Sequence, residues 1–249
     1  MIDLHSHILP YMDDGSRDWE ETILMAEAAW RAGTRIIAAT PHCRQERGSG
    51  YLKKYRESLF AMRKLLKERG IALSVVSGME IFADGHTAER LRRREVLPVN
   101  GGRYVLTEFD FEIPSVYIYR EIESILQEGY IPILAHPERY RCAEDFPQHV
   151  CEWNRMGAVI QINKGSVMGD FGTRVKKTAD RLLRLRLAHI AASDAHRSDR
   201  RTARMDAFSQ YFGEKYGEWC PRILLWENPV RILEGRSLPD MDPLEDWEN

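Results

Sequence analysis

Short apolar runs recur along the chain, separated by charged stretches of helical periodicity. Runs of this kind, rich in Ile, Val, Leu and Ala, are typical of strands buried in a parallel sheet. We predict strands at residues 2–5, 35–40, 72–77, 103–108, 131–135, 157–163 and 188–193. Amphipathic patterns between them predict helices at residues 18–32, 51–69, 116–128, 144–156 and 172–187.

The alternation of strands and helices indicates a parallel sheet with right-handed crossovers. In the first helix, Asp18 and Glu21 are placed as a capping-box-like start and Gly33 as a stop. Seven repeating units, where a regular barrel has eight, favour an irregular (β/α)7 barrel. The fold class is therefore predicted to be α/β.

The composition fits one globular domain. A length of 249 residues matches a single barrel, so we expect one domain over 1–249, with the last ten or so residues as a loose tail. A formal charge of −2 gives no case for nucleic acid as a partner. Asp3 and His5 interrupt what would be a signal sequence, and no apolar stretch is long enough for a membrane span. We expect a cytoplasmic protein.

Most residues that could bind a metal ion lie at or just past the ends of the predicted strands. They are His5, His7, His42, Glu80, Glu108, His136, Asp194 and His196. The C-terminal ends of barrel strands are where active sites form. Asp13 and Asp14, in the loop after the first strand, can reach the same edge. One such residue at one strand end would mean little. The presence of such residues at the ends of several strands predicts a polynuclear metal centre.

The spacing of these residues supports shared sites. His5 and His7 are two residues apart, as are Asp194 and His196, so each pair points to one face of its strand. Nitrogen and oxygen ligands without a thiolate leave Mn, Fe and Zn open. The four cysteines lack the Cys-x5-Arg spacing of cysteine phosphatases and are expected to be free, reduced thiols.

Several of these motifs resemble one known superfamily. They are His5-x-His7, Asp14-Gly15, Thr40-Pro41-His42, Gly78-Met79-Glu80, Glu108-Phe109, Ala135-His136-Pro137-Glu138-Arg139 and Ser193-Asp194-Ala195-His196. The chain is similar to the PHP (polymerase and histidinol phosphatase) superfamily. Within it, the chain looks most like the manganese-dependent tyrosine phosphatases (CpsB/CapC-like) of bacterial capsule and exopolysaccharide operons. The resemblance runs to about residue 205 and implies a PHP-type barrel with its metal site at the C-terminal strand ends.

The resemblance implies three metal positions, with Mn²⁺ as the expected ion. The ligand sets would be His5, His7, Glu80 and Asp194; Glu80, Glu108 and His136; and Asp14, His42 and His196. Glu80 would bridge two ions, and the resemblance favours Asp14 over Asp13. Three divalent ions exceed the charge of the four carboxylates by roughly two units, which suits a phosphate monoester dianion.

The implied activity is hydrolysis of phosphotyrosine by direct attack of a metal-bridging hydroxide. Arg139 would hold the phosphate as the catalytic cation, with Arg44, Lys164 and Arg197 as further substrate contacts. The expected partner is the tyrosine-rich tail of a bacterial kinase that controls polysaccharide synthesis. Residues 161–164, Gln-Ile-Asn-Lys, depart from the family pattern, and we expect that departure to affect substrate selection.

Two alternatives remain open. One is a small-molecule phosphatase of the histidinol-phosphate type on the same fold. The other is a non-catalytic module that a metal ion stabilises, although structural metal sites usually need one ion and are closed.

Overall fold

The computed structural model describes residues 1–44 and 50–239, in which strands and helices alternate. The strands are β1 Ile2–Asp3, β2 Ile36–Ala39, β3 His42–Cys43, β4 Ser74–Ser77, β5 Glu80–Phe82, β6 Tyr104–Glu108, β7 Ile131–Ala135, β8 Val159–Asn163 and β9 Ile190–Ala192. The helices are α1 Trp19–Arg31, α2 Tyr51–Glu68, α3 Thr87–Arg92, α4 Ser115–Gln127, α5 Arg141–Asp145, α6 Gln148–Arg155, α7 Lys164–Met168, α8 Thr173–Arg184, α9 Asp206–Tyr216, α10 Trp219–Arg222 and α11 Asn228–Leu233.

All paired strands are parallel, and they form two arcs. One arc has the order β1–β2–β4 and the other has the order β3–β5–β6–β7–β8–β9. Each arc continues into the other, because β3 follows β2 after two residues and β5 follows β4 after two residues. The first and last strands meet at a parallel bridge between Ser6 and Ala195, where the His7 amide donates to the Ala195 carbonyl at 2.8 Å. The predicted irregular (β/α)7 barrel is confirmed.

The barrel interior is apolar below the strand ends. Side chains of β6, β7 and β8 such as Leu106, Ile133 and Ile160 are essentially inaccessible to solvent on both faces of the sheet. This double burial explains why the strands read as continuous apolar runs. The predicted start of α1 is also confirmed, since the Glu21 amide donates to the Asp18 carboxylate at 2.8 Å.

The helical prediction over residues 144–156 was wrong in one respect. The segment forms two helices, α5 and α6, separated by Phe146 and Pro147. Proline lacks the amide proton that an unbroken helix needs, and it disfavours the helical conformation of the residue before it. The strands β3 and β5 and the helices α3 and α7 were not predicted, because each is too short to show a period.

The C-terminal region packs against the barrel. Helices α10 and α11 are joined by a π-helical turn, Ile223–Glu227, and the buried Asn228 donates to the His189 carbonyl at 2.8 Å. The expected loose tail lies outside the described residues, of which 239 is the last. In the described ranges, no helix combines the length and apolar character that crossing a bilayer requires.

Candidate metal centre

All nine predicted ligands converge at the C-terminal edge of the barrel. They fall into four overlapping groups, in each of which the potential ligand atoms lie within 4.8 Å of one another. The groups are His7–Asp14–His42–His196, His5–His7–Glu80, His5–His136–Asp194 and His42–Glu80–Glu108. The overlap of the groups is what a polynuclear centre with shared ligands requires.

Glu80 lies at the centre of the cluster and is wholly buried. Its Oε2 atom lies 3.2 Å from the Nε2 atoms of both His5 and His7 and 2.9 Å from Nδ1 of His42. Its other oxygen, Oε1, lies 3.1 Å from Nε2 of His136. The two oxygens of Glu80 therefore face different sets of imidazoles, which is the geometry of a bridging carboxylate.

Glu108 approaches the cluster from the end of β6. Its Oε2 atom lies 3.3 Å from Nδ1 of His42, and its Oε1 atom lies 3.7 Å from Nε2 of His136. The ring of His42 therefore lies closer to the carboxylates of Glu80 and Glu108 than the ring of His136 does. The resemblance had instead implied that His136 shares an ion with these two carboxylates. The division of the nine ligands among individual ions stays a prediction.

The two aspartates of the first loop have different partners. Asp13 accepts hydrogen bonds from Nδ1 of His7 and from the His42 amide, both at 2.7 Å. Asp14 instead lies 3.6 Å from Nε2 of His42 and 3.6 Å from Nε2 of His196. Asp13 is therefore placed to orient the histidines, and Asp14 is placed among the ligand atoms.

The hydrogen bonds of His5 and His7 test whether the cluster fits a metal ion. Nδ1 of His5 lies 2.9 Å from Oε1 of Gln161, and Nδ1 of His7 donates to Asp13. In its neutral form, each ring presents a lone pair at Nε2, and the two Nε2 atoms are 3.2 Å apart beside the Glu80 carboxylate. Electron pairs facing one another need a cation between them. The residues present fit a metal centre.

A chain of buried amides fixes this arrangement from below. Gln161 donates from Nε2 to Oδ1 of Asn163 at 2.8 Å, which leaves its carbonyl oxygen for His5. The side-chain nitrogen of Asn163 donates in turn to Oδ2 of Asp194 at 2.6 Å. The main-chain amide of Asn163 donates to the Glu138 carboxylate. Sequence reasoning assigned 161–164 to substrate selection and missed this support. The available signal was two amide side chains two residues apart on a buried strand.

Charge attraction and burial oppose one another in the cluster. Burial would lower the pKa of His42, but the carboxylates of Glu80 and Glu108 raise it to about 10. Burial favours the neutral form of Glu80, yet the His5 and His42 rings hold its pKa well below the ordinary value. The carboxylates therefore stay charged, and metal ions compete with protons for the same ring nitrogens.

Two of the predicted ligands occupy strained backbone positions. His136 has a φ of 37° and Asp194 a φ of 50°, in the left-handed region that non-glycine residues rarely adopt. Such strain persists only where surrounding contacts impose it, and it concentrates at functional sites. The strained residues end two strands of the barrel, and their side chains both enter the cluster.

Two arginines flank the cluster at Asp194. Nη2 of Arg201 lies 2.5 Å from Oδ2 of Asp194, and Nη1 of Arg139 lies 3.8 Å from the same oxygen. Arg139 thus lies beside the predicted ligands, and its role as the catalytic cation stays a prediction. Arg201 was missed as an individual residue, although the arginine-rich segment 197–204 that contains it was visible.

The other predicted substrate contacts have structural partners. Lys164 is largely buried and donates to the main-chain carbonyls of Thr202 and Arg204. Arg197 donates to the Gly15 carbonyl and pairs with Glu21, so it ties the last loop to the first. Arg44 is exposed, and its guanidinium lies 4.8 Å from the centre of the Phe82 ring.

Cys43, although adjacent to His42, is buried within the core cluster beside α2. Neighbouring strand residues point to opposite faces, so its thiol lies away from the metal ligands. The histidines at positions 86, 149 and 189 are absent from every metal-holding group found among the described residues.

A protein-family comparison agrees with the geometry. Residues 1–234 match the model of the family described as "Capsular polysaccharide synthesis, CpsB/CapC". The chain belongs to the CpsB/CapC family. Curated relatives include the tyrosine-protein phosphatase YwqE of Bacillus subtilis, 35% identical over 96% of this chain and 93% of that protein. Another relative is the tyrosine-protein phosphatase CpsB of Streptococcus pneumoniae, which is 32% identical over 94% of this chain and 98% of that protein.

Solved structures support the same assignment. A chain from the crystal structures of YwqE and CpsB, described as unique metal-dependent tyrosine phosphatases, superposes with a TM-score of 0.91. That match has 35% identity and covers 98% of both chains. A putative histidinol phosphatase of Listeria monocytogenes gives a TM-score of 0.50 at 9% identity over 84% of this chain and 98% of that one, which shows a shared fold alone.

Proposed function

We propose that this CpsB/CapC family member is a metal-dependent phosphomonoesterase that hydrolyses phosphotyrosine in proteins. The observation that carries the proposal is the placement of Arg139 and Arg201 beside Asp194, at the edge of the nine-ligand cluster. Together with three divalent ions, these two guanidinium groups would give the site the positive charge that suits a phosphate dianion. The names of its relatives, which are tyrosine-protein phosphatases, support the choice of substrate.

The nine ligands would hold three divalent ions, with Mn²⁺ first and Fe or Zn as the other candidates. When bound, such ions supply a Lewis acid for the phosphate and acidify the attacking water. Glu80 would bridge two of them, because its two oxygens face different imidazoles. Asp13 and Gln161 would hold His7 and His5 in the tautomer that presents Nε2.

The arginines would bind the phosphate oxygens. A guanidinium offers a planar fork of N–H donors that matches two oxygens of one phosphate. The phenol of tyrosine has a pKa of about 10, far below that of an alcohol, so the tyrosyl oxygen leaves with less need for a proton donor. This chemistry favours phosphotyrosine over phosphoserine at a site where metal ions and arginines provide most of the electrostatic stabilisation.

Within this proposal, the substrate is the tyrosine-rich tail of a bacterial kinase that controls capsular or exopolysaccharide synthesis. The support is the description of the family as one of capsular polysaccharide synthesis. A single phosphatase domain over 1–249, a cytoplasmic location and the absence of a nucleic-acid partner stay predictions from the sequence.

The test compares three substrates with the same purified protein. A phosphotyrosine peptide, the matching phosphoserine peptide and histidinol phosphate are each incubated with Mn²⁺, and phosphate release is measured. We expect the phosphotyrosine peptide to be the best substrate, with turnover lost on chelation and restored by Mn²⁺. Preference for histidinol phosphate would favour the small-molecule alternative. A metal-loaded protein without any turnover would favour the binding module.

A further inference from the structure

The side chain of Arg139 lies between two phenyl rings. Its guanidinium carbon is 4.3 Å from the centre of the Phe111 ring and 4.4 Å from the centre of the Phe171 ring. Both distances are well inside the range in which a cation is attracted to an aromatic face. Phe111 follows β6, Arg139 follows β7, and Phe171 lies between α7 and α8, so three separate segments build this arrangement.

Contacts with the main chain position the two rings. The Phe111 carbonyl accepts a hydrogen bond from the Arg141 amide at 2.7 Å, which ties the Phe111 loop to the segment that carries Arg139. The Phe171 ring packs closely on Gly165, where an added Cβ would lie 2.8 Å from its Cε2 atom. The absence of a side chain at Gly165 therefore permits the position of the Phe171 ring.

The contacts of Arg139 and Arg201 differ in one respect. Arg201 uses Nη2 in a 2.5 Å contact with Asp194. Among residues 1–44 and 50–239, the Arg139 guanidinium forms no side-chain hydrogen bond, and its separation from Asp194 is 3.8 Å. Ring faces can hold a guanidinium without occupying its N–H donors. The donors of Arg139 remain free for an incoming oxyanion.

We propose that Phe111 and Phe171 are positioning residues, an aromatic clamp that orients Arg139 for phosphate binding. The clamp rests on the proposed function, since Arg139 acts there on a phosphate. A flexible arginine would lose side-chain entropy on binding phosphate, and the clamp removes part of that cost beforehand. Phe111 acts on the phosphate through Arg139. Phe171 acts through Arg139 and also touches Arg201, whose guanidinium carbon lies 5.6 Å from the centre of the Phe171 ring.

The experiment replaces each ring and measures two quantities. Phe111→Leu and Phe171→Leu keep apolar volume but remove the aromatic face. For each Mn²⁺-loaded variant, the Kd for inorganic phosphate is measured by calorimetry, and kcat and KM are measured with a phosphotyrosine peptide. We expect phosphate binding and kcat/KM to weaken by roughly 3- to 30-fold. Mn²⁺ content and melting temperature should match those of the wild type.

Three controls separate positioning from a structural role. Phe60→Leu changes an exposed phenylalanine on α2 and should have no effect. Phe111→Tyr keeps the aromatic face and should restore binding; the same change at Phe171 would crowd Gly165, which lies against its Cζ atom. In an Arg139→Ala background, Phe111→Leu should cause no further loss, because the Phe111 ring holds Arg139 and no other arginine among the described residues.

Three results would overturn the clamp. One is an unchanged phosphate Kd in both leucine variants, and another is an undiminished loss in the Arg139→Ala background. The third is wild-type protein that binds no phosphate. If the wild type binds phosphate but does not hydrolyse the peptide, the proposed function fails, and the phosphate Kd values still decide the clamp.

Discussion

Replacing Gln161 by Leu should weaken metal binding without removing any ligand. Gln161 is wholly buried on β8, and its carbonyl oxygen lies 2.9 Å from Nδ1 of His5. Leucine has a similar volume but no acceptor. The His5 ring would then lose the partner that fixes its proton on Nδ1, and the tautomer protonated at Nε2 could not bind a metal ion.

The magnitude follows from the burial of the site. A buried donor left without an acceptor costs about 1–3 kcal/mol. Loss of an outer partner of a metal-bound histidine typically weakens metal affinity by about 10- to 100-fold, which corresponds to about 1.4–2.7 kcal/mol. The two estimates agree. We expect Mn²⁺ to bind the Gln161→Leu variant about 10- to 100-fold more weakly than it binds the wild type.

Competition between the protein and a chelator of known affinity measures this effect. Gln127→Leu is the matched control, because Gln127 is an exposed residue of α4 that undergoes the same chemical change outside the site. Circular dichroism should show that both variants keep the wild-type fold. Wild-type Mn²⁺ affinity in a folded Gln161→Leu variant would refute the idea that this amide controls the His5 tautomer.

Four further predictions concern other parts of the molecule. Glu80→Ala should lose more bound metal than Glu108→Ala by elemental analysis, because Glu80 faces two sets of imidazoles; equal losses would contradict a bridge. Arg139→Ala should lower phosphotyrosine turnover roughly 30- to 1000-fold while metal content stays constant; wild-type kinetics would make Arg139 an ordinary surface residue. Serine at all four cysteine positions should preserve most activity, and a folded, metal-loaded but inactive variant would contradict attack by water. Burial raises the pKa of Asp180, but hydrogen bonds with Lys215 and its other donors lower it to about 2. Its charged form therefore stabilises the fold above the unfolded pKa. Asp180→Asn should cost about 1 kcal/mol near pH 7 after solvent screening, and urea titrations should show the difference disappearing as the pH falls from about 4 to about 2.

The strand ends could be predicted because the burial of a strand in a parallel barrel is visible in the few consecutive residues that form it. A strand buried on both faces is mostly apolar, so the polar residues just past an apolar run mark the C-terminal end of the strand. His42, Glu80 and Glu108 were found in this way, and all three lie in the cluster. The short strands β3 and β5 begin at His42 and Glu80 themselves, beyond the apolar runs that gave the signal.

The direction of a long cationic side chain could not be predicted in the same way. Lys164 follows β8 directly and was predicted to contact the substrate, but its ammonium donates to the carbonyls of Thr202 and Arg204. The Arg204 carbonyl belongs to a residue about forty positions further along the sequence. A flexible side chain reaches whichever acceptor the tertiary structure brings close, and spacing along the chain carries no information about that choice.

Gln161 and Asn163 were noticed in the sequence, but their role was interpreted as substrate selection and not as support for the metal ligands. Both amides were visible as a departure from the family pattern. Substrate contacts must be reachable from solvent, whereas both side chains are wholly buried. Two amides on one face of a buried strand need partners within the protein. Here those partners are His5 and Asp194, so the departure bears on how this chain holds its metal ligands.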